Sequence, residues 1–155
     1  MQVQICSLNI VSEISVSFTP SILPSKCPKI NVSNDIYEIL KSNWNMGTFY
    51  LQEELKAVFL NHDNRVMGIL PISVGTKTSC SCDLPKLLGA ALKASCTKLI
   101  LAHNHPSGSI KASKADIELT SQVNAACKLL NLKLLDHLIL GDSGYCSMAD
   151  EGLIL

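Results

Sequence analysis

Two periods of apolar residues run along this chain, and each predicts a different element. The stretch "SNDIYEILKSNWN" places Ile36, Ile39, Leu40 and Trp44 at helical spacing. Ser33 or Asn34 is the expected N-cap, and Met46-Gly47 the stop. "LKAVFLN" and "RVMGILPISVG" read as strands joined by a turn at "HDN", and so as a hairpin. Asp83 caps a second helix carrying Leu84, Leu87, Leu88, Ala91 and Leu92 on one face. "KLILAH" is a buried strand. Residues 113–131 form the longest helix, with Leu119, Val123, Ala126, Cys127 and Leu130 as the inner stripe. "LKLLDHLILG" and "YCSM" close the chain as strands. Alternating helices and strands predict a mixed α/β fold, a sheet with helices packed on it.

The first 32 residues behave differently. "QVQIC" and "EISVSF" read as short strands or an edge hairpin, and "TPSILPSKCPK" has three prolines in eleven residues, an extended connector. Residues 1–32 are therefore expected to be an extension, and 33–155 the compact domain. A chain of 155 residues suffices for one buried core.

Charge narrows the partners. Thirteen basic residues balance thirteen acidic ones, so no global attraction to nucleic acid or to an anionic membrane is expected. No apolar run approaches membrane-spanning length, and the start lacks the pattern of a leader peptide. The seven cysteines include one tight pair, Cys80-Ser-Cys82, too close and too isolated for a structural zinc pair. Cys96 and Cys127 sit on apolar helix faces, where a thiol behaves as a small hydrophobe. These features predict a cytoplasmic chain with reduced thiols.

The chemistry concentrates in "LILAHNHPSGSIKASKAD", which holds two of the four histidines. Residues i and i+2 of a strand share a face, so His103 and His105 point the same way. Asp116 falls in the first turn of the next helix, where the helix dipole favours a carboxylate. Two imidazoles and one carboxylate suit zinc and leave a fourth position for water. Each feature alone has a plainer explanation. Ser113-Lys-Ala-Asp116 is a capping-box pattern, and an isolated His-x-His is often structural. A cap needs no histidines, however, and the histidines gain nothing from a cap. Zinc-activated water also needs a base. Glu53 and Glu54 stand at the mouth of the apolar strand "LKAVFLN", with opposite faces, and periodicity does not choose between them.

The pattern E-x(n)-H-N-H-P-S-G-x(4)-S-x-x-D resembles the JAMM signature of JAB/MPN-type metallohydrolases. With "LLDHLILGDSGYCSMADEGLI" downstream, the chain from about residue 33 onward resembles the RadC family in particular. The resemblance implies a cytidine-deaminase-like mixed α/β fold with zinc held by His103, His105 and Asp116. It implies Glu53 as general base, because members carry the acid eight residues before the Asn or Asp ending "FLN", here Asn61. Glu54 is the fallback. Ser113 would stabilise the oxyanion of the tetrahedral intermediate. His137 in "LDHLIL" also matches a family position, as a buried histidine behind the ligands rather than a fourth ligand. Ala112 departs from the family's usual proline before the motif serine. The helix-hairpin-helix DNA-binding module of the fuller RadC architecture is not seen in residues 1–32.

The implied activity is zinc-dependent hydrolysis of a peptide or isopeptide bond, with a protein or peptide as partner. The alternative is an accessory protein of DNA repair, replication or mobile elements that turns nothing over; nucleic acid is then the partner to expect. Two similar patterns are excluded. Zinc nucleobase deaminases need H-x-E and a later P-C-x-x-C, and neither occurs. In HNH nucleases the three named residues are dispersed, whereas His103-Asn104-His105 is contiguous.

Overall fold

The computed structural model describes residue 12 and residues 14–75 and 81–154. Five strands form one mixed sheet: β1 (Glu54–Leu60), β2 (Val66–Val74), β3 (Lys98–Asn104), β4 (Lys133–Gly141) and β5 (Gly144–Ser147). Three helices accompany them: α1 (Ser33–Ser42), α2 (Leu84–Lys93) and α3 (Lys114–Leu129). The strand order is β2-β1-β3-β4-β5, antiparallel at every pairing except β3–β4, which α3 crosses as a parallel βαβ unit. This is the mixed α/β architecture that the alternating pattern predicts.

Both faces of the central strands are apolar because both are covered. Leu55, Ala57, Phe59, Leu99 and Leu101 pack with Leu87 and Ala91 of α2 and Val123 and Cys127 of α3. Val58, Leu60, Ile100, Ala102, Leu138 and Leu140 pack with Ile36 and Leu40 of α1 and with Trp44 and Phe49 beyond it. A sheet buried on both sides reads as continuous apolar runs, which is how "KLILAH" reads.

Several expectations need correction. "QVQIC" lies outside the described residues. Within "EISVSF", residues 14–18 carry no strand and are exposed, and the proline-rich connector closes into one short 3-10 turn at Pro24–Lys26. The N-cap of α1 is Val32, not Ser33 or Asn34. The Asp35 carboxylate accepts from the backbone N–H groups of Asn31 and Val32, so an acid inside the helix replaces the usual side-chain cap. That helix ends at Ser42 rather than at Met46, and Trp44 reaches the core from the following turn. Asp83 does cap α2, accepting from the Lys86 N–H, but Leu92 is 52% exposed because its helix position turns outward. On α3 the inner stripe is Asp116, Thr120, Val123 and Cys127; Leu119 and Ala126 are half-buried at its margin, and Leu130 is exposed past the helix end. Cys96 is buried in the loop after α2, not on a helix. Among the described residues no helix is long and apolar enough to cross a membrane.

Candidate metal centre

The four side chains of the site come from three element boundaries at one end of the sheet. Leu55 pairs with His103 across the antiparallel β1–β3 ladder. Alternation then puts Glu53, His103 and His105 on the face that carries Leu55, Leu99 and Leu101, the face α2 and α3 cover. Glu53 sits one residue before β1, where its carbonyl accepts from the Gly75 N–H at 2.7 Å. His105 lies just past β3 and still donates its backbone N–H to Leu140 O at 2.9 Å. Asp116, on the inner face of the first turn of α3, completes the group.

Glu53, His103, His105 and Asp116 each present one ligand atom, all within 4.8 Å of one another. His103 Nε2 lies 2.9 Å from His105 Nε2 and 3.1 Å from Asp116 Oδ1, and His105 Nε2 lies 3.6 Å from Asp116 Oδ2. Zinc bonds of about 2.0–2.1 Å in a tetrahedron set ligand atoms about 3.3–3.4 Å apart, and the observed separations of 2.9, 3.1 and 3.6 Å lie on either side of that spacing. Glu53 Oε1 stands back at 3.9 Å from His103 Nε2. The His105 Nδ1 atom is 2.9 Å from the Ser109 carbonyl, which can only accept. Its Nδ1–H is spent there, which leaves Nε2 as the ring atom turned toward the group. The donor set fits a zinc ion.

Electrostatics separates the two acids. Burial pushes the Asp116 carboxyl up, but the hydrogen-bonding His103 and His105 rings outweigh it and hold the group well below the ordinary carboxylate range. Glu53 goes the other way: burial raises it, Asp116 adds to the rise, and the two histidines oppose it only in part. The Asp116 carboxylate holds the His105 imidazole above its usual value against burial. One carboxyl is thus held low by the neighbouring rings and the other raised by burial.

Glu54, the fallback base, faces away. Its carboxylate accepts from Thr48 Oγ1 at 2.7 Å and pairs with Lys56 at 3.8 Å. Ser113 is the N-cap of α3. Its Oγ accepts from the Asp116 N–H at 3.2 Å, and its own N–H donates to Asp116 Oδ2 at 2.6 Å. Capping box and candidate metal group therefore share Asp116, since the bond that caps the helix also orients that carboxylate. With its oxygen occupied as an acceptor, the Ser113 hydroxyl keeps a hydrogen to donate. His137 is fully buried, with Nε2 2.8 Å from His103 Nδ1.

Two contributors escaped the sequence reading. Asn104, between the histidines, points to the opposite face, where it is fully buried. Its amide donates to Phe49 O at 2.6 Å and Gln52 O at 2.9 Å, and its Oδ1 accepts from the Glu54 N–H at 2.8 Å. The turn that delivers Glu53 is pinned by these bonds. A lone amide in an otherwise apolar strand was the available signal, because a buried amide needs partners. Thr120, four residues after Asp116, is the other; a hydroxyl in the apolar stripe of α3 marked it.

The "HPSG" turn also has a fixed requirement. Gly108 has φ +80°, and a Cβ there would overlap the Asp142 carboxylate. Only glycine combines that backbone with that contact.

A family model described as the RadC-like JAB domain matches residues 30–153. The chain belongs to the RadC-like JAB domain family. Among relatives, the UPF0758 protein of Porphyromonas gingivalis is 41% identical over 104 residues, covering 66% of this chain and 46% of that protein. The UPF0758 protein of Flavobacterium johnsoniae is 35% identical over 128 residues, covering 83% of this chain and 55% of that protein. This RadC-like chain spans about half the length of the curated relatives it matches. Its five-stranded mixed sheet with three helices agrees with the JAB/MPN-like fold.

Proposed function

We propose that this RadC-like domain is a zinc-dependent hydrolase that cleaves a peptide or isopeptide bond in a protein or peptide substrate. The observation that carries the reading is the position of Glu53. Its buried carboxylate stands 3.9 Å from His103 Nε2, set back from the three closer donors and raised above its ordinary value. A carboxylate serving only as a fourth ligand would gain nothing from that offset, whereas a general base needs room for a water between itself and the metal.

His103, His105 and Asp116 would hold the ion. Zinc bound there supplies Lewis acidity, which acidifies water and polarises a carbonyl oxygen. Glu53 accepts the proton of the attacking water and returns it to the departing amine, a transfer favoured by a basicity closer to working pH than that of an exposed glutamate. The Ser113 hydroxyl donates its hydrogen to the oxygen on which negative charge develops. Asp116 stays ionised throughout because the imidazoles hold it so.

The test is turnover of a panel of peptides and ubiquitin-like conjugates by the zinc-loaded chain and its Glu53→Gln variant. Zinc should remain bound in the variant while turnover falls at least about a hundredfold. A Glu53→Gln variant that keeps every measurable function would remove the enzyme reading and leave a zinc-bearing binding domain.

A further inference from the structure

The structure assigns Thr120 and His137 as positioning residues that decide which ring nitrogen of His103 faces the metal group, through an unbroken hydrogen-bond chain from the Asp116 backbone. This assignment rests on the metal reading above and extends it to residues that touch no ion.

The direction of every bond follows from one carbonyl. Thr120 Oγ1 lies 2.6 Å from Asp116 O, and a carbonyl only accepts, so the single hydroxyl hydrogen points there. Met148 Sδ, at 3.5 Å, is a weaker and more distant acceptor. The Thr120 oxygen must then receive a hydrogen from His137 Nδ1, 2.6 Å away. His137 is completely buried. An uncompensated cation would be costly there, so the ring is neutral with its one hydrogen on Nδ1. Its Nε2 is consequently an acceptor, and His103 Nδ1, at 2.8 Å, must be the donor. With Nδ1 committed to His137, the ring atom that remains to act as a ligand is Nε2, aimed at His105 Nε2 and Asp116 Oδ1.

His105 Nδ1 is likewise bonded on its far side, to Ser109 O. The two Nε2 atoms face each other at 2.9 Å beside the Asp116 carboxylate, an arrangement that a bound cation would satisfy. A threonine bonded to the carbonyl four residues back is common in helices and by itself implies nothing. That habit does not account for a fully buried imidazole bridging the hydroxyl to a second ring.

The sheet is built to place it. A register shift between Leu99 and Ile100 in the β3–β4 pairing sets His137 opposite Leu101. One extra residue on β4 thus brings both Leu134 and His137 to the α3 side. The chain begins at one ligand, Asp116, and ends at another, His103, so α3, β3 and β4 share one set of hydrogen positions.

The test reads ring-nitrogen 15N shifts of the histidines in the parent chain, metal-free and with zinc, alongside zinc affinity by chelator competition. In the parent, His137 should carry its hydrogen on Nδ1 in both states, and His103 on Nδ1 in the zinc-bound state. Thr120→Val removes the hydroxyl at nearly constant shape and should weaken zinc binding at least about tenfold, with His137 no longer held in one tautomer. Thr120→Ser keeps the hydroxyl and should restore both. Parent-like zinc affinity in Thr120→Val, or a hydrogen on His137 Nε2 in the parent, overturns the assignment. If the parent takes up no zinc, the metal reading fails, while the His137 tautomer still decides the hydrogen-bond chain. Should Thr120→Val not fold, the parent and Thr120→Ser spectra decide alone.

Discussion

Leu55 and His103 stand opposite each other across the antiparallel β1–β3 pair, and this single register position aligns Glu53 with His103 and His105. Counting two residues back along β1 and two forward along β3 puts Glu53 and His105 on the same face of the sheet. A slip of one residue would turn Glu53 toward α1 and bring Glu54 to the ligands instead.

Metal analysis is the first check. The purified chain is expected to carry about one zinc per molecule, the stoichiometry of a single three-ligand site. His103→Ala and Asp116→Ala should each lose most of it, measured by elemental analysis after dialysis. A chelator should lower the melting temperature of the parent, because zinc binds the folded state preferentially, and should leave the Asp116→Ala variant unchanged.

Removing the Asn104 amide separates positioning from ligation. Asn104→Ala deletes bonds to Phe49 O, Gln52 O and the Glu54 N–H in a fully buried place. A loss of about 2–4 kcal/mol is expected in urea unfolding, since buried partners are left unsatisfied. The three closer ligands do not depend on that turn. Zinc content should therefore stay near that of the parent while hydrolysis falls.

Glu53 makes a signed prediction for stability against pH. Its carboxyl is raised in the fold, chiefly by burial, so ionising it costs folding free energy. The parent has no such cost below the ordinary value of 4.5, and the cost grows as pH rises through the folded value. Metal-free Glu53→Gln should therefore match the parent in melting temperature at low pH and exceed it at neutral pH. Equal melting curves at both ends would mean that the carboxylate is not desolvated. Enhanced stability on losing a site residue is the expected mark of a group kept for chemistry.

Gly108 tests the turn behind His105. Gly108→Ala must accommodate a side chain at φ +80° and displace the Asp142 carboxylate. A destabilisation of at least about 1 kcal/mol is expected from the backbone alone. The turn also carries Ser109, whose carbonyl orients His105, so zinc affinity measured by competition should fall in the same variant.

The sequence was most legible where one residue type had one physical use. The convergence of His103, His105 and Asp116 was recoverable because their spacing matches strand alternation followed by a helix start, and no packing role calls for two imidazoles on one face. Asp83 was recoverable as a cap for a similarly local reason. Glu53 was not recoverable from alternation, since β1 is apolar on both faces and neither parity is marked as facing the ligands; the family pattern supplied that choice. Thr120 was passed over for Leu119 because apolar periodicity ranks a leucine above a hydroxyl, while in the fold the hydroxyl faces inward and meets His137. Val32 as N-cap was hidden because the capping group comes from Asp35, inside the helix.

By itself, then, the chain's order of residues determined the alternation of strands and helices, the convergence of His103, His105 and Asp116, and the helix cap built into that group. These depend on neighbours within a few residues, whose geometry the backbone fixes locally. Only the tertiary structure decided that Asn104 pins the turn beside Glu53 and that His137 stands behind His103, and it put Glu53 rather than Glu54 on the face of the two histidines, where alternation had left both open. Those relations join residues 34 to 55 positions apart, and strand register, one bulge and the burial of both sheet faces set them.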